Sequence, residues 1–155
     1  MRKQTIRTTL LSVLTAILLF GFVSCKKNDP EKSRTELLTQ AGWKIVKDET
    51  RTGASGPWVD ITSSYAACEK DDVLAFRTNL SFEFNEGATK CSPSDPQIIT
   101  TGTWVFTTNE TKINATSGGS TDAIDVNQLD EGTLILFSSD VSGGITYYSR
   151  STYGH

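Results

Sequence analysis

The sequence has little of the chemistry on which most catalytic and metal sites depend. It contains one histidine among 155 residues, His155, the last of the chain. A catalytic triad or a histidine-ligated metal needs an imidazole held in place, whereas chain ends usually fray. No Gly-x-Ser-x-Gly motif occurs, and no glycine-rich phosphate loop is present. We therefore expect no enzymatic activity, no catalytic residue, no bound metal and no cofactor.

Asp71 and Asp72 are the most conspicuous polar pair. Neighbouring residues of a strand point to opposite faces, so the two carboxylates would not share a proton as a catalytic dyad does. A position in a turn or at the start of a strand, beside Cys68, is favoured. Calcium binding is the alternative, although no regular Asp/Asn ladder with a closing Glu follows.

An excess of basic residues is also missing, since 15 Lys and Arg stand against 18 Asp and Glu. Three of the basic residues, Arg2, Lys3 and Arg7, lie at the N-terminus. Without them, 12 basic and 18 acidic residues leave a net charge of about −6. An acidic chain without a basic patch repels phosphate backbones, so no nucleic-acid partner is expected. The same charge disfavours binding flat to an anionic membrane, so membrane attachment would come from lipid alone.

Long apolar runs are limited to residues 10–23, which follow the basic segment 1–9. As a helix this run spans roughly 20 Å, short of the ~30 Å hydrocarbon core, so it predicts a secretory signal rather than a permanent span. The closing Phe22-Val23-Ser24-Cys25 resembles a bacterial lipobox, in which a small residue precedes the cysteine that receives lipid. We predict a signal peptide over 1–24 and lipidation of Cys25. An ordinary signal with an unmodified cysteine is the alternative.

Residues 25–32 form the predicted lipidated tether, because they carry charge, include Pro30 and lack large apolar side chains. This places the chain in the cell envelope, attached to a membrane through lipid, with the outer membrane favoured and its face open. Lipidation of Cys25 leaves Cys68 and Cys91 as an even pair in an oxidising compartment, which predicts a disulfide. Two free buried thiols are the alternative.

A short helix and then many short strands are predicted after the tether. Ser33 and Glu36 match a capping box, and Gly42 is expected to end the helix. Alternating or apolar runs bounded by turn signals predict strands at 43–47, 58–62, 73–77, 80–84, 102–106, 112–115, 123–129, 133–137 and 145–150, with turns at 78–79 and 140–144. Eight or nine strands without alternating helices predict an all-β antiparallel barrel or sandwich, and the short turns favour an up-and-down barrel over residues 33–155.

Several of these features together match a known family. They are the leader 36–44, the segment Cys68-Glu69-Lys70-Asp71-Asp72, Phe76, Phe82, Gly87, Cys91 and Gly102-Thr103-Trp104. In this pattern the sequence resembles the lipocalin-like domain of Bacteroidetes lipoproteins over most of residues 33–150. The resemblance implies an eight-stranded antiparallel barrel with a short N-terminal helix and a bridge between Cys68 and Cys91.

Aromatic residues carry the remaining signal: Trp43, Trp58, Phe76, Phe82, Phe84, Trp104, Phe106 and Tyr147. They are consistent with a packed core or with the lining of a cavity, since eight-stranded barrels can hold one small molecule. If the family arrangement holds, four of them face inward and would contact a ligand: Trp43, Phe76, Phe82 and Trp104. Alternation then turns Lys44, Arg77, Glu83 and Thr103 towards water.

Two functions fit this sequence. The first is a lipid-anchored, non-catalytic, lipocalin-like binding module of the cell envelope for a small apolar or ring-bearing ligand. The alternative is a structural or accessory envelope lipoprotein whose barrel is filled and whose loops contact a protein or glycan. A cavity of about 300 Å³ or more would favour the first function. The sequence makes no prediction of oligomeric state.

Lipidation at Cys25 is directly testable in the bacterial host. Metabolic labelling with a fatty acid is expected to mark the wild-type chain and to miss the Cys25→Ser variant, because a serine cannot form the thioether. Cys68→Ser serves as the control and should label like the wild type. Equal labelling of the wild type and Cys25→Ser would contradict the lipobox assignment.

Overall fold

The computed structural model describes residues 30–155, so Cys25, the signal 1–24 and most of the tether 25–32 lie outside the described residues. The elements are α1 (Arg34–Thr39), β1 (Lys44–Thr52), β2 (Val59–Asp60), β3 (Val73–Phe76), β4 (Ser81–Asn85), β5 (Ile98–Thr107), β6 (Lys112–Ser117), β7 (Ser120–Leu129), β8 (Leu134–Ser142) and β9 (Ile145–Gly154). The predicted all-β antiparallel class with one short helix is confirmed. Within residues 30–155, no helix is long and apolar enough to cross a membrane.

Helix α1 begins as predicted. The Glu36 N–H donates to Ser33 Oγ at 3.2 Å and the Ser33 N–H donates to Glu36 Oε2 at 2.8 Å, which completes the capping box. The predicted end at Gly42 was wrong, because the helix stops at Thr39 with Gln40 as its C-cap. Gly42 serves a different purpose: a Cβ at this position would overlap the Val73 side chain.

All nine strands join one antiparallel sheet in the order β2-β1-β9-β8-β7-β6-β5-β4-β3. From β3 to β9 each strand pairs with the next along the chain, which is the predicted up-and-down arrangement. Strand β1 then pairs with β9, and the two-residue β2 pairs only with β1. The predicted strand at 58–62 is shorter because a 3-10 turn occupies Thr62–Ser64.

The two distant ends of the ladder meet at one point. The Trp43 N–H donates to the Leu74 carbonyl at 2.9 Å, and the Leu74 N–H donates to the Trp43 carbonyl at 2.9 Å. Trp43 directly precedes β1, whereas Leu74 lies in β3, and seven pairings separate those two strands in the sheet. The sheet therefore curves strongly enough to bring β1 back to β3.

The last hairpin is longer than predicted. A turn was expected over 140–144, but β8 and β9 pair until Ser142 faces Ile145, leaving only Gly143 and Gly144 in the turn. Both glycines have positive φ, 59° and 78°, a conformation that permits a two-residue hairpin turn. Strand β5 likewise starts at Ile98, four residues before the predicted 102.

One face of the sheet holds a single hydrophobic core closed by α1. Its buried members are Leu38, Trp43, Phe76, Phe82, Trp104, Ile113, Val126, Leu129, Leu134 and Leu136. Trp104 lies at its centre, with edge-on contacts to Phe76 at 5.6 Å and Phe106 at 5.3 Å between ring centroids. Such aromatic contacts add to the stabilisation from burial itself.

Two further contacts tie the ends of the domain together. The predicted disulfide joins Cys68, before β3, to Cys91, between β4 and β5, with the Cα atoms 5.2 Å apart. His155 does not fray as a chain end was expected to: its ring lies 4.1 Å from the Trp43 ring, and its Nδ1 lies 3.1 Å from the Gly42 carbonyl oxygen. The His155 contacts lie next to the point where β1 meets β3.

The central position of Trp104 predicts a large stability effect. Trp104→Ala should lower the free energy of unfolding by about 3–5 kcal/mol, because it removes a buried indole and leaves a cavity. Val105→Ala, on the next residue of the same strand, should cost less than about 1 kcal/mol because that side chain is 47% exposed. Urea denaturation of both variants measures the difference, and equal losses would contradict this packing.

Candidate functional site

The core face of the sheet changes from apolar to polar along its strands. On β8, Leu134 and Leu136 are buried in the core, and alternation places Ser138 and Asp140 on the same face. The partners on β9 change in step: Leu134 and Leu136 face Tyr153 and Ser151, Ser138 faces Ser149, and Asp140 faces Tyr147. The hydrophobic core therefore ends midway along these strands, and a polar surface continues from it.

A cavity of about 530 Å³, called the larger cavity below, lies over this polar surface. Its lining combines hydroxyl groups, two carboxylates, two tyrosines and one isoleucine: Thr50, Asp122, Ala123, Ile124, Ser138, Ser139, Asp140, Tyr147, Tyr148 and Ser149. The Ser138 and Ser149 hydroxyls lie 2.7 Å apart and hydrogen bond across the strands. Tyr147, Asp122 and Asp140 are exposed, so the cavity opens to solvent.

The smaller cavity, of about 210 Å³, borders the core itself. It is lined by Ile45, Tyr65, Glu69, Asp72, Phe84, Ser151 and Tyr153. Tyr153 also packs against the core cluster, and burial raises the pKa of its hydroxyl. The lining of this cavity therefore combines apolar and aromatic side chains with the carboxylates of Glu69 and Asp72.

A buried aspartate organises the hydrogen bonds beside the smaller cavity. Asp48 is 7% exposed, and its two carboxylate oxygens accept from the Tyr65 hydroxyl at 2.7 Å and the Ser151 hydroxyl at 2.8 Å. Burial, followed by this bond to Asp48, raises the pKa of Tyr65 above its usual range. The Tyr65 hydroxyl therefore stays protonated and remains a donor to Asp48.

Asp72 lies among other acids without a compensating cation. Burial is the main cause that raises its pKa, to about 6, and repulsion from Glu86, Asp71 and Glu69 adds to the effect. One oxygen each of Asp71 and Asp72 is buried without a hydrogen-bond partner among residues 30–155. In the same part of the chain, no three His, Cys, Asp or Glu side chains converge as metal ligands would. As predicted, the pair precedes strand β3 rather than forming a dyad on it.

The four predicted ligand-contact residues all lie in the core. Trp43, Phe76, Phe82 and Trp104 are each at most 9% exposed, and none lines either cavity. Of their neighbours, Lys44, Arg77 and Thr103 are exposed and Glu83 is half-buried. The inward orientation is therefore observed, whereas a role in ligand binding stays a prediction.

Sequence reasoning missed most of the residues that line the larger cavity. Tyr147 is among the aromatics that the sequence singles out. Ser138 and Ser139 fall between the predicted strand 133–137 and the predicted turn 140–144, and Ser149 lies in the predicted strand 145–150 without a functional role. The available signal was alternation, because Leu134 and Leu136 predict that Ser138 and Asp140 share their face. Because the predicted strand ends at residue 137, the alternation was not extended to Ser138 and Asp140, although β8 continues to Ser142.

Comparison with protein families identifies a match. A family model described as "lipocalin-like domain" matches residues 40–136, which is more than half of the 155 residues. The matched span runs from just after α1 into strand β8. No curated protein matches the chain.

The raised pKa of Asp72 predicts a pH-dependent stability. The folded state holds this proton up to about pH 6, whereas the ordinary value is 3.8, so stability is lost as pH rises between these values. Asp72→Asn removes that loss and should raise the free energy of unfolding at pH 7 by about 1–2 kcal/mol, a figure reduced for solvent screening. The gain should vanish near pH 3.5.

Asp130→Asn provides a control of opposite sign. The hydrogen bond from Gln128, with those from the Gly132 and Thr133 backbone, lowers the pKa of Asp130. Its contribution is therefore present at neutral pH and lost on acidification, so the variant should gain nothing at pH 7. Urea denaturation from pH 3.5 to 7 measures both variants; no gain for Asp72→Asn at pH 7 would contradict the assignment.

Proposed function

The chain belongs to the lipocalin-like domain family, and from this premise we propose that residues 33–155 form a non-catalytic binding module for a small apolar or ring-bearing ligand. The observation that carries the proposal is the larger cavity. Its volume of about 530 Å³ lies within the range of small-molecule sites and above the roughly 300 Å³ that separates a binding module from a filled barrel.

The lining supports a ligand with a ring and at least one polar substituent. Tyr147 and Ile124 supply apolar surface against which a ring packs, and Tyr147 is 44% exposed. The Ser138 and Ser149 hydroxyls lie beside it and can each donate or accept a hydrogen bond. The lining therefore offers apolar contact to a ring and polar groups that can orient a ligand.

The closed barrel is part of the same proposal. Its support is the pair of hydrogen bonds between Trp43 and Leu74, which returns β1 to β3 after seven antiparallel pairings. In such a barrel the aromatic core fills the end next to α1, and the larger cavity is the open end. Trp43, Phe76, Phe82 and Trp104 then belong to this core and do not contact the ligand.

We further propose that the module is anchored in the cell envelope by lipid on Cys25. The support comes from the sequence alone: a basic segment, an apolar run too short to remain as a span, a small residue before the cysteine, and a charged tether. The alternative role, an accessory lipoprotein that contacts a protein or glycan through its loops, is favoured only by the complete packing of the core around Trp104.

The cavity is testable with the neutral ring-bearing dye N-phenyl-1-naphthylamine, whose fluorescence rises in apolar sites. The wild type is expected to bind the dye, and Ser149→Phe should weaken binding at least tenfold, because the added ring occupies the cavity. Val105→Phe adds a similar ring at an exposed position outside the cavity and should bind like the wild type. Absence of dye binding by the wild type, or equal binding by Ser149→Phe, would contradict this site.

Native mass spectrometry of protein purified from its own host complements the dye. A retained small molecule that is absent from Ser149→Phe would identify the natural ligand.

A further inference from the structure

A second cluster of functional groups lies on the face of β1 and β9 opposite the core. Alternation places Glu49 and Arg51 of β1 on this face, because Asp48, the residue before Glu49, bonds inward to Ser151. Tyr148 lies directly opposite Arg51 and Arg150 directly opposite Glu49 in the register. The cluster shares Tyr148 with the lining of the larger cavity of the proposed function, whereas Arg51, Trp58 and Arg150 do not line that cavity.

Aromatic rings hold both arginines of the cluster. The Arg51 guanidinium carbon lies 4.7 Å from the Trp58 ring centroid and 4.6 Å from that of Tyr148. Arg150 lies 4.5 Å from the same Trp58 ring. Phe137 supports the cluster, stacked on Tyr148 at 5.8 Å and edge-on to Trp58 at 6.3 Å. These contacts are cation–π interactions, which orient a guanidinium but do not neutralise it.

The carboxylate of this cluster, Glu49, already forms ion pairs with two other cations, Lys47 and Arg150. Glu49 is 7% exposed; its Oε1 accepts from Lys47 at 2.8 Å, and its Oε2 accepts from Arg150 at 2.8 and 2.9 Å. The hydrogen bond from Lys47, with Arg150 adding to it, lowers the pKa of Glu49, which therefore stays ionised. No carboxylate of residues 30–155 lies within 4.0 Å of Arg51.

Among the described residues 30–155, Arg51 is therefore a positioned cation without a counterion, although the chain has more acids than bases. Within residues 30–155 its guanidinium makes no hydrogen bond, and its Nε is buried without a partner. The whole side chain is nevertheless half-buried rather than enclosed. A guanidinium presents a planar fork that matches a carboxylate, and stacking has already restricted its rotamers.

The segment that carries Trp58 is itself held in place. The Gly53 N–H donates to the Thr146 carbonyl at 2.8 Å, which fastens the loop to β9. A Cβ on Gly56 would overlap the Thr52 carbonyl, so the loop doubles back closely on the end of β1. Trp58 is thereby positioned over both arginines before any ligand arrives, which lowers the entropic cost of binding.

We propose that Arg51, flanked by Trp58 and Tyr148, binds the carboxylate of an organic anion on the outer face of the sheet. The carboxylate would take the hydrogen bonds that the Arg51 guanidinium does not make to residues 30–155. Two sources supply this chemistry, a free carboxylic acid and the uronic-acid units of an acidic saccharide. The larger cavity and the Arg51 site would then bind different ligands on opposite faces of the same strands.

The test follows the arginine Nε–H signals of the ¹⁵N-labelled protein by nuclear magnetic resonance during titration with galacturonate. The Arg51 signal is expected to shift and saturate, and the signal of Arg77, an exposed arginine beyond the end of β3 without a ring over it among residues 30–155, is expected to stay. Arg51→Gln should weaken galacturonate binding at least about tenfold, because the charged donors are lost. Arg77→Gln is the matched control and should bind like the wild type.

Further variants keep the result interpretable. Arg51→Lys retains the charge, so it preserves the cluster if Arg51→Gln unfolds, and it should bind more weakly than the wild type because it lacks the fork.

Tetragalacturonate binding tighter than galacturonate by tenfold or more supports an acidic saccharide, and equal affinities support a free acid. No saturable shift of the Arg51 signal, or an unchanged affinity in both Arg51 variants, would overturn the proposal. Arg51 does not line the larger cavity, so dye binding by the Arg51 variants distinguishes a failure of this proposal from a failure of the proposed function.

Discussion

The fold depends on the position of Trp43. Its backbone exchanges two hydrogen bonds with Leu74, which brings β1 back to β3. Its indole N–H donates to the Leu38 carbonyl at 2.9 Å, which satisfies an acceptor at the end of α1, and its ring contacts His155. One fully buried side chain thus joins the helix, the returning strand and the last residue of the chain. This junction holds β1 against β3 across the curved sheet.

Once the sheet curves, the composition of each strand decides what its inner face does. Next to α1 the inward residues are aromatic or branched, and they pack against one another as a buried cluster. Further along β8 and β9 the inward residues are Ser138, Ser149 and Asp140, too small or too polar to fill the same width. The cavity therefore arises from a change of side-chain volume along continuous strands. Beyond the strands, the Cys68–Cys91 bridge fastens the acidic segment around Asp72 against the rest of the fold.

Much of this architecture was predictable because it rests on local chemistry. Ser33 and Glu36 specify a helix start through contacts three residues apart, and Trp104 and Phe106 specify an inward face through alternation. The errors arose where a distant partner decided the outcome. Asp140 and Ser142 have the composition of a turn, yet pairing with Tyr147 and Ile145 keeps them in β8. The helix end was misplaced at Gly42 because contact with Val73 explains that glycine better than a C-cap does.

The sequence by itself determined the all-β class, the capped helix, the even pair of cysteines and the burial of the large aromatics, because each depends on residue type and short spacing. Only the tertiary structure decided where a ligand fits and which charges lack partners. The larger cavity needs residues from four strands, and the isolation of Arg51 depends on Lys47 and Arg150 both using Glu49. Such arrangements join residues as much as 101 positions apart, as Arg150 and Glu49 are, and no local pattern encodes that distance.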